Sequence, residues 1–253
     1  MPKTILIHSF RHGVGRSSLA ANMAYLLANQ GQRVTLIETN TKLPVAHILF
    51  GLPEEKLRYS FNDYLLGNCE IHQAAHDLTP HLSPPPTGRL FLIPGNTGNP
   101  QNICELHNAQ DVYLLNTGCQ NLAASLNLDA VLIDTQPGIK ENALVAITVS
   151  DTLVIILRMD QRDYQGTSVT MDVVRQLDVP RIVLIVNEAP TVFNFAEIKA
   201  TMEQTYQCEV LAVLPHVDEM MALANKDIFA LRYPRHAFTL MLNEVAANLL
   251  TAV

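Results

Sequence analysis

Thr4-Ile5-Leu6-Ile7-His8-Ser9-Phe10-Arg11-His12-Gly13-Val14-Gly15-Arg16-Ser17-Ser18 lies near the start of this 253-residue chain and decides how the rest is read. Its first five residues form an apolar run of strand length, and a helical pattern occupies Ser17 to Asn29. A strand that passes through a glycine loop straight into a helix is the setting of a phosphate cradle. Glycine lets backbone N–H groups approach a phosphate, and the helix amino terminus adds unpaired amides and the positive end of its dipole. Against the pattern G-x-x-x-x-G-K-[ST], however, Phe10 stands at the first glycine and Arg16 at the lysine.

Outward from this segment, short apolar runs alternate with helical patterns. Strands are expected at Thr4 to His8, Arg33 to Glu38, Arg89 to Pro94, Ala130 to Asp134, Thr152 to Arg158, Arg181 to Asn187 and Val210 to Leu214. Helices are expected at Ser17 to Asn29, Gln101 to Leu126, Glu141 to Val149, Tyr164 to Leu177, Phe195 to Tyr206 and Phe238 to Leu250. The alternation predicts an α/β fold: one doubly wound, mostly parallel sheet with helices on both faces, forming a single domain over residues 1–253. The Pro- and Gly-rich stretches Ser83 to Gly88 and Gly95 to Pro100 are too short to divide it and read as loops.

Composition narrows the class. With 48% hydrophobic and 16% charged residues the chain has ample material for a core. Its formal charge is −7, and residues 151–253 hold 8 basic against 13 acidic side chains, so nonspecific DNA binding is not favoured and would need a local patch such as Lys226, Arg232 and Arg235. Cys69, Cys104, Cys119 and Cys208 form no C-x-x-C pair and read as reduced, mostly buried thiols. No signal-peptide pattern and no long apolar span is present, which places the protein in the cytoplasm.

The loop segment resembles the deviant phosphate loop of the MinD/ParA family of P-loop ATPases, K-G-G-x-G-K-[ST]-[ST], with matches at Gly13, Gly15, Ser17 and Ser18. Arg11, His12 and Arg16 stand at its first, second and sixth positions, and Val14 at its variable one. The resemblance continues through LAANMAYLLANQGQRV, TLIE, VLIDTQPG, LIVN and a Leu-Pro-x-x-x-E element beginning at Leu214, nearly the whole chain. It implies binding of ATP/ADP by Gly13, Val14, Gly15, Arg16, Ser17 and Ser18. It further implies Mg²⁺ on Ser17 and, through water, on Asp134, with Asn187 reading the adenine edge and Arg11 reaching a dimer partner's phosphates.

The departures fall on chemistry. Arg16 keeps a charge but replaces a compact ammonium with a planar fork. Where the family has Asp-x-Asp, this chain has Glu38-Thr39-Asn40, and an amide at Asn40 cannot accept a proton from an attacking water. The expectation is therefore an ATP- and Mg²⁺-binding switch with slow hydrolysis, carried by Arg11, Arg16, Asn40 and Asp134. It would act as a homodimer, or a heterodimer with a homologue, to position or regulate a protein partner or cargo. The alternative is a non-enzymatic scaffold, motivated by His12 in the glycine loop.

A weaker expectation concerns metal. His72 and His76 have i, i+4 spacing, and Cys69/His72 and Cys104/His107 have C-x-x-H spacing, though Pro80 would end any helix there. Phe61, Leu65 and Leu66 of FNDYLLG read as packing residues. After the helix Phe238 to Leu250 no basic amphipathic extension follows, so direct membrane attachment is not expected.

Overall fold

The computed structural model describes residues 2–96 and 103–251. In chain order the elements are β1 (Lys3–His8), α1 (Arg16–Asn29), β2 (Arg33–Glu38), α2 (Ala46–Leu49), α3 (Phe61–Leu65), β3 (His76–Asp77), β4 (Arg89–Ile93) and α4 (Ala109–Leu126). There follow β5 (Ala130–Asp134), α5 (Glu141–Thr148), β6 (Thr152–Arg158), α6 (Gln161–Val174), β7 (Arg181–Ala189), α7 (Phe195–Tyr206), β8 (Glu209–Pro215), α8 (Asp218–Ala222), α9 (Phe229–Arg232) and α10 (Ala237–Leu250). The eight strands make one sheet in the order β3-β4-β2-β5-β1-β6-β7-β8, parallel except where β3 meets β4.

Alternation along β1 explains the two layers. Ile5 and Ile7 join the core under α1, whereas Leu6 joins the opposite core. A strand buried on both faces reads as a continuous apolar run, as TILI does. In α1 the alanines 20, 21, 24 and 28 are buried and let the helix lie close to the sheet and to α10. Strand β1 sits between β5 and β6, and the chain winds outward in opposite directions on its two sides. In such a sheet the crevice for a ligand opens beyond the carboxyl ends of the strands, where the loop after β1 lies.

Several expectations are corrected. The helix drawn from Gln101 begins at Ala109, where Asn108 caps it by accepting from Gln110 N at 2.8 Å and Asp111 N at 3.2 Å; residues 103–108 are non-helical, and Gln101 lies outside the described residues. Asp111 returns the bond to the Asn108 amide, a capping box that the residues Asn108-x-x-Asp111 spell. The helix drawn from Tyr164 begins at Gln161, capped by Asp160. Strand β3, two residues long, has no periodicity to betray it. It separates His76 from His72, which lies on a 3₁₀ turn at Ile71–Ala74, so the two imidazoles share no helix face. Phe61 is fully buried, but Leu66 is exposed. Of the free cysteines only Cys119 is buried. Of the loop Gly95 to Pro100, residues 97–100 lie outside the described residues, as do Ala252 and Val253 beyond α10. No helix among the described residues is long and apolar enough to cross a membrane.

Candidate functional site

Strand register brings the site together. Asp134 at the end of β5 stands level with Ile7 of β1 on one side and Glu38 of β2 on the other. The loop leaving β1 turns at Gly13 (φ +79°) and Gly15 (φ +86°), a left-handed backbone that costs a side-chain-bearing residue about 1–2 kcal/mol. Gly15 caps α1 without any side-chain hydrogen bond, so the first-turn amides keep their capacity for an outside acceptor. A Cβ on Gly15 would also come within 2.5 Å of Asn187 Nδ2. That amide donates to Val14 O at 2.9 Å and holds the loop against β7.

Asn187 does not close its strand. Strand β7 runs on to Ala189 through an irregularity at which Glu188 takes φ +54° and pairs with Arg158 at 2.8 Å. The Val14 side chain is buried, so only its backbone faces a ligand. Ser18 donates to Asn225 Oδ1 at 2.8 Å, joining α1 to the segment after α8.

Two clefts meet at this loop. One, of 490 Å³, has the apolar residues Pro215, Val217, Met220, Met221 and Phe238 in its wall together with Asn187. The other, of 460 Å³, is lined by Arg11, His12, Arg16, Ser17, Asn40 and the apolar Leu43, Val45 and Ile48. Gly13, Gly15, Ser18, Ala224 and Asn225 line both. Each volume lies in the range of small-molecule sites, and an apolar slot beside a loop of unpaired amides suits a flat base joined to a polyanion.

Two of the basic side chains at the loop, Arg16 and Arg11, are engaged within the chain. Arg16 Nε donates to Asp134 Oδ1 at 2.5 Å, in surroundings that leave the two side chains 8% and 2% exposed. Its Nη2 lies 3.4 Å from Ser17 Oγ. Arg11 binds Asp160, and its Nε donates to the buried Asp163 Oδ1 at 2.5 Å, tying the loop to the start of α6. Asn40 closes a local turn, donating to Leu43 O at 3.0 Å and accepting from Leu43 N at 3.3 Å.

The nominated groups thus converge around one loop, though not in the postures expected of them. Arg11 is held by its own chain, and the two groups assigned to Mg²⁺ face the guanidinium of Arg16. As they stand, Ser17 and Asp134 do not fit a divalent cation. The cysteine and histidine pairs do not converge either: His76 Nε2 is 2.9 Å from Tyr59 O, His107 Nδ1 is 3.3 Å from Glu141, and among the described residues no three metal-binding side chains gather.

Sequence reasoning missed Asp160 and Asp163, although the pattern Asp160-x-x-Asp163 ahead of a helix was a legible capping signal. Glu38 stood out only as a departure from the family's Asp-x-Asp, and its anchoring role had no local signal. Glu38 is fully buried and accepts from Val45 N at 2.6 Å, Ala46 N at 3.2 Å and Gly95 N at 3.2 Å, so one carboxyl anchors two segments that flank the cleft.

Burial pushes the Glu38 carboxyl up to about 7, with the Asp134 charge adding to the rise. Between its ordinary 4.5 and about 7 the folded chain binds more protons than the unfolded one, so this contribution is full below 4.5 and is lost as pH rises through about 7. Burial, aided by the charge of Arg16, drives His8 from 6.5 down to about 3; its contribution is present above 6.5 and lost as pH falls towards 3. The two slopes oppose each other between 4.5 and 6.5. Glu38→Gln is expected to unmask that of His8, so that stability rises with pH across that window by up to about 1.4 kcal/mol per pH unit. Urea midpoints at its two ends test this, and an unchanged pH profile in the variant refutes it.

A parallel sheet with a glycine loop leaving its central strand, directly ahead of a helix, defines a P-loop fold of the MinD/ParA type. The family model described as AAA domain (AAA_31) matches residues 2–181, and the chain belongs to that family. It is 23% identical over 255 residues to an uncharacterized ATP-binding protein of Methanocaldococcus jannaschii, covering 100% of this chain and 89% of that protein. It spans 64% or less of the length of several other curated relatives. The MinD cell division protein of Aquifex aeolicus superposes with a TM-score of 0.77 at 20% identity, covering 99% of this chain and 98% of the other. The septum site-determining protein MinD of Pyrococcus horikoshii, complexed with Mg-ADP, superposes with a TM-score of 0.74 at 15% identity over 100% of both chains.

Proposed function

We propose that the chain is a nucleotide-operated switch that binds ATP or ADP at the loop Gly13 to Ser18 and uses nucleotide-dependent dimerisation to position or regulate a protein partner in the cytoplasm. The observation that carries this reading is the meeting of the two clefts at a loop whose glycines and first-turn amides are left for an acceptor. The phosphates lie against Gly13, Val14, Gly15, Ser17 and Ser18, and the base lies in the apolar slot. Because Asn187 has committed its Nδ2 to Val14, a base amine is read by its Oδ1. Leu43 (69% exposed) and Ile48 (48% exposed) rim the phosphate side and supply apolar surface for a second subunit.

Hydrolysis is slow. Asn40 cannot take a proton, and Arg11 must leave Asp160 and Asp163 before it reaches a partner subunit's phosphate. The same engagement favours a second reading, a scaffold that pairs with an active homologue and turns nothing over.

Calorimetric titration with ATP and with ADP decides between them. Micromolar binding is expected, and Gly13→Asp is expected to abolish it by placing a carboxylate among the loop amides. The position has open space for a Cβ, and its left-handed backbone costs the variant about 1–2 kcal/mol, so a melting curve confirms that the sample titrated is folded. Failure of the protein to bind either nucleotide at millimolar concentration refutes the switch and leaves the scaffold.

A further inference from the structure

A divalent cation that assists a polyphosphate is small, demands near-octahedral oxygen ligands, and takes one or two of them from the protein. Both side chains placed to serve here, Asp134 and Ser17, face one guanidinium: Arg16 Nε is 2.5 Å from Asp134 Oδ1 and Nη2 is 3.4 Å from Ser17 Oγ. Arginine stays charged at any pH the folded chain meets, so this cation cannot withdraw by losing its proton.

A guanidinium carries five N–H donors in a fixed plane. With Nε on Asp134 and one Nη on Ser17, donors remain, and Arg16 lines the cleft in which the phosphates of the proposed nucleotide lie. We propose that Arg16 takes the place of the divalent cation, so that this chain holds a nucleoside diphosphate by a metal-independent clamp of Arg16 and the loop amides. The inference rests on the nucleotide reading given above. It accounts for a feature that reading leaves unexplained, namely the pairing of a phosphate-loop arginine with the carboxylate at the end of β5.

The test is calorimetric titration of the wild-type protein with ADP in two buffers, one containing Mg²⁺ and one containing EDTA. The dissociation constants are expected to agree within about threefold. ADP bound at least about tenfold more tightly with Mg²⁺ overturns the proposal while leaving the nucleotide reading standing. Absence of binding in both buffers overturns the nucleotide reading and the clamp with it.

Arg16→Lys provides the reciprocal result. An ammonium is a point charge that cannot bridge Asp134 and Ser17 in one plane, so ADP binding by this variant is expected to become Mg²⁺-dependent by about tenfold or more. Equal binding in the two buffers by Arg16→Lys, in a sample whose melting curve shows it folded, also counts against the clamp. The wild-type comparison decides the matter even where the variant does not fold.

Discussion

Arg16→Ala is expected to lower the unfolding free energy by about 3–5 kcal/mol, the usual cost of removing one partner from a buried ion pair. Asp134 is 1% exposed, at the end of a strand in the middle of the sheet, and the variant strands its carboxylate beside the carboxyl of Glu38. Much of that loss reflects the unpaired charge rather than the worth of the pair. The double change Arg16→Met with Asp134→Leu is therefore expected to recover most of it. Urea denaturation of the three proteins reads both effects. A loss below about 1 kcal/mol in the single variant would place the pair among solvated surface bridges and sink the argument.

Phe229→Ala is expected to cost a similar amount, about 3–5 kcal/mol, through a different cause. The ring is fully buried and packs on Tyr233, His236 and Phe238 at centroid distances of 4.9, 5.2 and 5.3 Å. Its helix is fastened to α1 by the Ala230 amide, which donates to Asn22 Oδ1 at 2.8 Å, so the surroundings cannot collapse freely into the void. Tyr113, 71% exposed, provides the internal comparison. Its alanine variant is expected to stay within about 0.5 kcal/mol of wild type, and equal losses at the two positions would contradict the packing argument.

The contrast between these sites shows what the sequence could reveal. Strand β1, the glycine loop and α1 were legible because their signals are local: an apolar run, two glycines and a helical period within about thirty residues. The parallel sheet was legible for the same reason, repeated along the chain. The start of α4 was misplaced because residues 103–108 carry no breaker, although the capping box at Asn108 and Asp111 marked the true beginning.

The postures of the site residues were beyond reach. Arg11 meets acids 149 and 152 positions away, and Arg16 meets one 118 positions away. Such pairings depend on strand order, which no local pattern encodes. A basic residue in a phosphate loop reads as a ligand for phosphate; only the folded chain reveals that it already has carboxylates.

The sheet stops beyond β4 in a two-residue antiparallel strand, His76–Asp77, after which the Thr79–His81 turn containing Pro80 carries the chain away. A ladder that ends in so short a rung offers an incoming chain almost no free backbone to template upon, and proline removes a donor where the next rung would form. At that edge, continuation of the sheet into a neighbouring molecule is blocked, which guards against runaway fibrillar growth.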